Sequence, residues 1–117
     1  MGRALESYQL VILRRAPNPP EMDDAALDRL QAQHLAHKDR LYDDGVLAAN
    51  GPVIDAPDAT IRGLSFYRAA SLDEARRLAE EDPSVIAGRL VVEVMSWWCP
   101  PGSLRLPGQP FTLPDDT

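Results

Sequence analysis

The chain has one cysteine, Cys99, so no internal disulfide can form, and a lone thiol suits a reducing compartment. No stretch approaches the roughly 18 apolar residues of a membrane span. The opening MGRALESYQLVILRR lacks a secretory layout: its short apolar run stops at Arg14 and Arg15 without a small-residue cleavage site. Gly2 does not complete a myristoylation motif, because Glu6 stands where Ser or Thr is required. Basic residues are outnumbered, 12 Lys and Arg against 18 Asp and Glu, for a formal net charge of -6. That balance argues against nucleic acid and anionic membrane surfaces as partners, since both reward basic patches. A phosphate-cradling glycine loop, a dinucleotide fingerprint and a serine nucleophile elbow are also absent. The absences leave a cytoplasmic protein with a small-molecule ligand and no cofactor as the expectation.

What is present suits one domain over residues 1–117. Hydrophobic residues make up 44%, enough for a real core, and charged residues 26%. Ser7 to Arg15 reads as a strand, with Tyr8, Leu10 and Ile12 on one side and Gln9, Val11 and Leu13 on the other. The proline-rich turn APNPPEMDD follows. Asp23 or Asp24 then caps a helix over roughly Ala25 to Asp43, with Gly45 past its end. Val46 to Ile54 reads as an edge strand bent at Asn50-Gly51-Pro52, and Thr60 to Ala69 as a third strand. Ser71 and Glu74 form a capping box for a second helix, which Asp82-Pro83 ends before a short turn. Arg89 to Trp98 is the fourth strand. A tail over 99–117 holds five of the eleven prolines and reads as an arm or a loose end around a core of about 7–98.

The order β-α-β-β-α-β in so short a chain points to a ferredoxin-like α+β fold, a four-stranded antiparallel sheet with both helices on one face. Nothing is left to cover the other face, yet strands one and four offer it apolar residues. A second copy packing sheet against sheet is the economical solution, so a homodimer is expected, with the tail a candidate to reach the partner.

On the first helix, Leu30, His34, Lys38 and Leu41 fall within about 60° of Leu27 around the axis. An imidazole thus occupies the stripe that should face the core. Two readings stand: a general acid/base at a pocket, or a packing histidine bonded to a carbonyl. A catalytic imidazole wants a carboxylate to fix its tautomer, and Asp82 and Asp43 compete for that role. Asp43 follows His34 by nine residues, about 900° of helix, which points it away unless the helix ends early. Asp82 is preferred, against the alternative that it only caps the turn at Pro83. His37 lies at the stripe's edge and reads as solvated. A metal held by His34 and His37 lacks a third ligand at suitable spacing, so no metal is expected.

Asn50-Gly51-Pro52 is either a ligand-approaching backbone or a plain bend. Ser65 and Tyr67 share one face of the third strand and are candidates to line a cavity, with partial burial as the alternative. Trp97 and Trp98 suit an interface or core edge, and Cys99 has no activating neighbour. Arg14, Arg15, Arg76 and Arg77 read as solvated charges unless one points inward toward an anionic substrate.

Four segments, in order and at suitable spacing, resemble the YCII-related proteins: His34-Leu35-Ala36, Tyr42-Asp43-Asp44-Gly45, Asn50-Gly51-Pro52 and Asp82 through Gly88. The resemblance runs from about Tyr8 to Trp98. It implies a ferredoxin-like, dimeric α-β barrel fold, a homodimer, and a site centred on a histidine and an aspartate. It further implies chemistry of the isomerase or dehydrochlorinase type, since one relative is a dehydrochlorinase and related barrels include muconolactone isomerases. The tail after Trp98 and the second histidine, His37, depart from the family pattern. The alternative is a non-catalytic ligand-binding or regulatory module on the same scaffold.

Overall fold

The apolar run from Tyr8 to Leu13 forms the middle of a long strand, β1 (Glu6–Arg15), in a computed structural model that describes residues 4–105. Pro17, Pro19 and Pro20 then carry the chain off the sheet, because proline cannot donate to a ladder or sit inside a helix. Asp23 caps α1 (Asp24–Asp43), its carboxylate accepting from the Ala26 N–H at 2.8 Å. The helix exits through Gly45, whose φ of 73° is a left-handed conformation glycine adopts at little steric cost. β2 (Leu47–Pro52) and β3 (Ile61–Tyr67) follow. Ser71 caps α2 (Leu72–Glu80) by accepting from the Glu74 N–H at 3.0 Å. The other half of the expected capping box is not made, because both Glu74 carboxylate oxygens turn to Arg77. Asp82-Pro83 opens the one-turn α3 (Pro83–Ile86), and β4 (Leu90–Cys99) completes the order. β4 includes Cys99, which pairs with Glu6, so the segment expected as tail begins one residue later.

The sheet order is β2-β3-β1-β4 and every pairing is antiparallel, the ferredoxin-like arrangement the element order implies. Val11, Tyr67, Val94 and Leu47 form one face of the core against Leu41 of α1 and Ala75 and Ala79 of α2. Each fully buried aliphatic side chain there contributes about 1.5–3 kcal/mol. Gln9 is buried on the same face and ties down the exit of β3. Its side-chain oxygen accepts from the Ala69 N–H at 2.8 Å, and its amide nitrogen donates to the Ala69 carbonyl at 3.4 Å.

Leu10, Ile12, Leu64, Phe66 and Met95 lie on the opposite face, where Leu10 pairs with Phe66 on one side and Met95 on the other. The expectation that nothing in the chain covers this face needs a correction. Leu104, just beyond β4, packs against the cluster of Tyr8, Trp97 and Cys99 at one end, and the Tyr8 hydroxyl donates to the Leu104 carbonyl at 3.4 Å. The remainder stays open, with Val91 42% and Met95 39% exposed. The expected reach of the tail toward a partner falls on residues 106–117, outside the described residues.

Two irregularities interrupt the ladders that β3 makes with its neighbours. β2 is an edge strand, as read from its glycine and proline, yet Gly51 and Pro52 pair regularly with Leu64 and Gly63. At an edge, the missing N–H of Pro52 costs no ladder bond. The register slips earlier, between Leu47 and Ala49, leaving Ala48 as the extra residue. A second slip lies between Leu13 and Arg14 of β1, which pair with Gly63 and Ile61, so Arg62 of β3 has no partner on β1.

Candidate active site

His34 sits halfway along α1, on the stripe with Leu30, Lys38 and Leu41. Those three are buried, while the His34 side chain keeps 15% of its surface open. Its Nδ1 lies 2.6 Å from Oδ2 of Asp82. Pro83 disfavours helical geometry at the residue before it, so Asp82 leaves α2 at φ -57° and ψ 126°. That conformation turns its wholly buried carboxylate under α1. The second oxygen, Oδ1, accepts from the Ser84 N–H at 2.9 Å and caps α3. Capping and pairing with His34 stood as competing readings of Asp82; each oxygen serves one.

Burial acts to raise the Asp82 pKa. The hydrogen bond to His34, the Ser84 N–H and the charges of His34 and Lys38 outweigh it and hold the carboxyl below its ordinary value. Asp82 is therefore ionised near neutral pH and accepts from His34, which places a hydrogen on Nδ1. Nε2 is left as the ring nitrogen free to exchange a proton with a ligand.

His34 opens onto a cavity of about 440 Å³, walled by Asn50, Gly51 and Pro52 of β2, Arg62 and Gly63 of β3, and the apolar Leu13, Leu35 and Leu90. This is a size that holds a small organic molecule. Gly63 is a close-approach position: a Cβ there would stand 3.1 Å from the Gly51 carbonyl oxygen. A second cavity of about 430 Å³ adjoins it through Gln31, Arg62 and Leu90.

The structure brings Asn50, Gly51 and Pro52 to His34, as the sequence allowed. Ser65 is fully buried behind them and donates from its hydroxyl to Asn50 Oδ1 at 2.6 Å, so it supports the wall rather than forming it. Tyr67 is fully buried in the core beneath the helices and does not line the cavity. Burial, reinforced by the Asp82 charge, pushes its hydroxyl pKa well up. Asp43 is exposed at the end of an unbroken α1, half a turn out of phase with His34, and the structure does not bring it to the site.

His37 corrects the sequence reading. It is 3% exposed rather than solvated, because α2 lies across it, and its Nε2 donates to the Leu78 carbonyl at 3.0 Å. Burial lowers its pKa, against the pull of Asp82. As pH falls below about 6.5, the unfolded chain takes up a proton that native His37 refuses, so stability falls until its folded pKa is passed. Urea midpoints between about pH 5 and pH 7.5 should therefore decline toward acid. His37→Gln, which keeps a donor for Leu78, should flatten that decline; a slope unchanged in the variant would refute the assignment.

Sequence reasoning missed a role for Lys38, although it placed the residue on the right stripe one turn after His34. Its ammonium is almost wholly buried, 3.9 Å from Asp82 Oδ2 and 5.9 Å from the centre of the Tyr67 ring. It makes no hydrogen bond. Burial lowers its pKa while Asp82 opposes that shift. A lysine on the stripe that should face the core is the signal that could have found it.

The chain has a ferredoxin-like α+β fold, a four-stranded antiparallel sheet packed against helices. Residues 10–98 match the YCII-related domain, and the chain belongs to that family. It is similar in structure to TftG of Burkholderia phenoliruptrix AC1100, a 5-chloro-2-hydroxyhydroquinone dehydrochlorinase solved in complex with 2,5-dihydroxybenzoquinone. The identity is 24% and the TM-score 0.57, over 77% of this chain and 92% of that one. It is also similar to a muconolactone isomerase, at 18% identity and a TM-score of 0.63, over 82% of this chain and 93% of that one. No curated protein matches the chain by sequence.

Proposed function

We propose that the protein is a small-molecule enzyme that moves protons with His34, held and polarised by Asp82. The observation that carries the reading is the 2.6 Å contact between His34 Nδ1 and a buried carboxylate at the wall of a cavity. Nε2 removes a proton from carbon as general base. In an isomerisation the proton returns at another carbon; in an elimination the electron pair of the broken C–H bond forms the new double bond, while a leaving group such as chloride departs with the electron pair of its own C–Cl bond. The structural relatives, a dehydrochlorinase and an isomerase, support this class of reaction on a small organic or aromatic-derived substrate. The residues alone require no metal or redox cofactor for such a step.

The experiment is solvent deuterium exchange. Unsaturated lactones and chlorinated hydroxyquinols are incubated with the protein in D2O and followed by NMR. The reading expects deuterium to enter one substrate at carbon, dependent on His34. A compound that binds at His34 yet neither exchanges nor turns over would leave a binding module in place of an enzyme.

The open sheet face supports a homodimer as the working unit. Leu10, Phe66 and Met95 form a continuous apolar strip across three strands, the kind of face monomers rarely leave wet. A partner burying about 800 Å² per copy would cover it. Leu10→Asp puts a charge at its centre, so the wild type should sediment as a dimer and the variant as a monomer. A monomeric wild type would end the dimer reading. Among the described residues no helix is long and apolar enough to cross a membrane, and the lone buried thiol of Cys99 is in keeping with the cytoplasm.

A further inference from the structure

The His34 cavity is cationic in a chain that is acidic overall. Among its described wall residues there is no carboxylate, and Arg62 is the charged one beside His34. Arg62 is also the residue that the register slip in β3 leaves without a partner on β1, and such slips re-aim side chains. The adjoining cavity adds Arg15 and Arg89, against a single acid, Asp28. Arginines elsewhere are committed within the protein: Arg14 is clamped by Asp58 and Glu93, and Arg77 by Glu74 and Glu81. Among the described residues Arg62 has no ion pair or side-chain hydrogen bond. A further donor faces the same space. Asn50 gives its oxygen to the Ser65 hydroxyl, which leaves its NH2 for a ligand.

We propose that the ligand of this cavity carries a carboxylate, received by the Arg62 guanidinium with the Asn50 amide, and drawn in by Arg15 and Arg89. A guanidinium binds the two oxygens of a carboxylate in parallel, and the anion's charge balances a wall whose one formally charged side chain beside His34 is Arg62. The apolar Leu13, Leu35 and Leu90 then face the carbon frame, with His34 at its side. The inference rests on the reading above only in taking the His34 cavity as the reaction site.

The test is an NMR titration of the 15N-labelled full chain with benzoate and with benzamide, its neutral counterpart. Benzoate should move the amide signals of His34, Gly51 and Gly63 and saturate, with benzamide at least tenfold weaker. Arg62→Gln should weaken benzoate roughly ten- to hundredfold and leave the melting temperature in place, because the side chain bonds nothing in the protein. Arg62→Lys, which keeps the charge but not the fork, should recover part of the loss. Equal binding of the two probes, benzoate binding indifferent to Arg62→Gln, or no shift around the cavity would each overturn the assignment. The titration reads binding without turnover, so it can fail while deuterium exchange succeeds, and the reverse.

Discussion

Asp82→Ala should cost about 3–5 kcal/mol of stability, lowering the melting temperature by roughly 12–20 °C. Three neighbours depend on this fully buried side chain. It caps α3 through Ser84, orients His34, and is the counter-charge to Lys38. Removing it leaves a buried ammonium without an anion, an expensive arrangement because desolvation is no longer offset. The cause can be isolated with a second change. Lys38→Met in the Asp82→Ala background should return part of the lost stability, since the orphaned charge goes with it. Melting curves of the two single variants and the double variant check this. If the double variant is no more stable than Asp82→Ala, Lys38 was not the source of the penalty.

His34→Gln should behave in the opposite way. His34 is partly exposed and its ring bonds one carboxylate oxygen, so an amide of similar reach keeps that contact and the fold. The expected change in melting temperature is small. Turnover and deuterium exchange should fall by about 10²–10⁴-fold, the usual contribution of a positioned acid/base group. Asp82→Asn should lower exchange as well, because its NH2 would turn the imidazole to the wrong tautomer. Kinetics on the exchanging substrate, with binding measured separately, distinguish the outcomes. Exchange at the wild-type rate in His34→Gln would remove the imidazole from the chemistry.

Much of the architecture was legible because it is written locally. Alternation from Tyr8 to Leu13, the Asp23 and Ser71 caps, the exit at Gly45 and the break at Asp82-Pro83 each act within a few residues. A reader of the chain can weigh them without knowing the rest. The resemblance carried by His34-Leu35-Ala36 and the segment from Asp82 to Gly88 pointed to the same fold. The misreadings occurred where a distant segment decides. His37 is on the edge of the α1 stripe in any helical projection. It is buried only because α2, some forty residues later, crosses that edge and offers the Leu78 carbonyl. Leu104 covers part of the open sheet face through a turn that composition alone presents as a loose tail.

Residue types and spacing by themselves determined the elements, their order and hence the antiparallel sheet, because capping, periodicity and proline's geometry are short-range effects. They also supplied the imidazole and the two candidate aspartates. Helical phase already favoured Asp82 over Asp43, but only the tertiary structure brought its carboxylate to the imidazole, set Lys38 against it, and placed Arg62 at the cavity wall. Those outcomes depend on which segments meet across 48 residues of chain, and contact at that separation is decided by packing of the whole sheet and its helices.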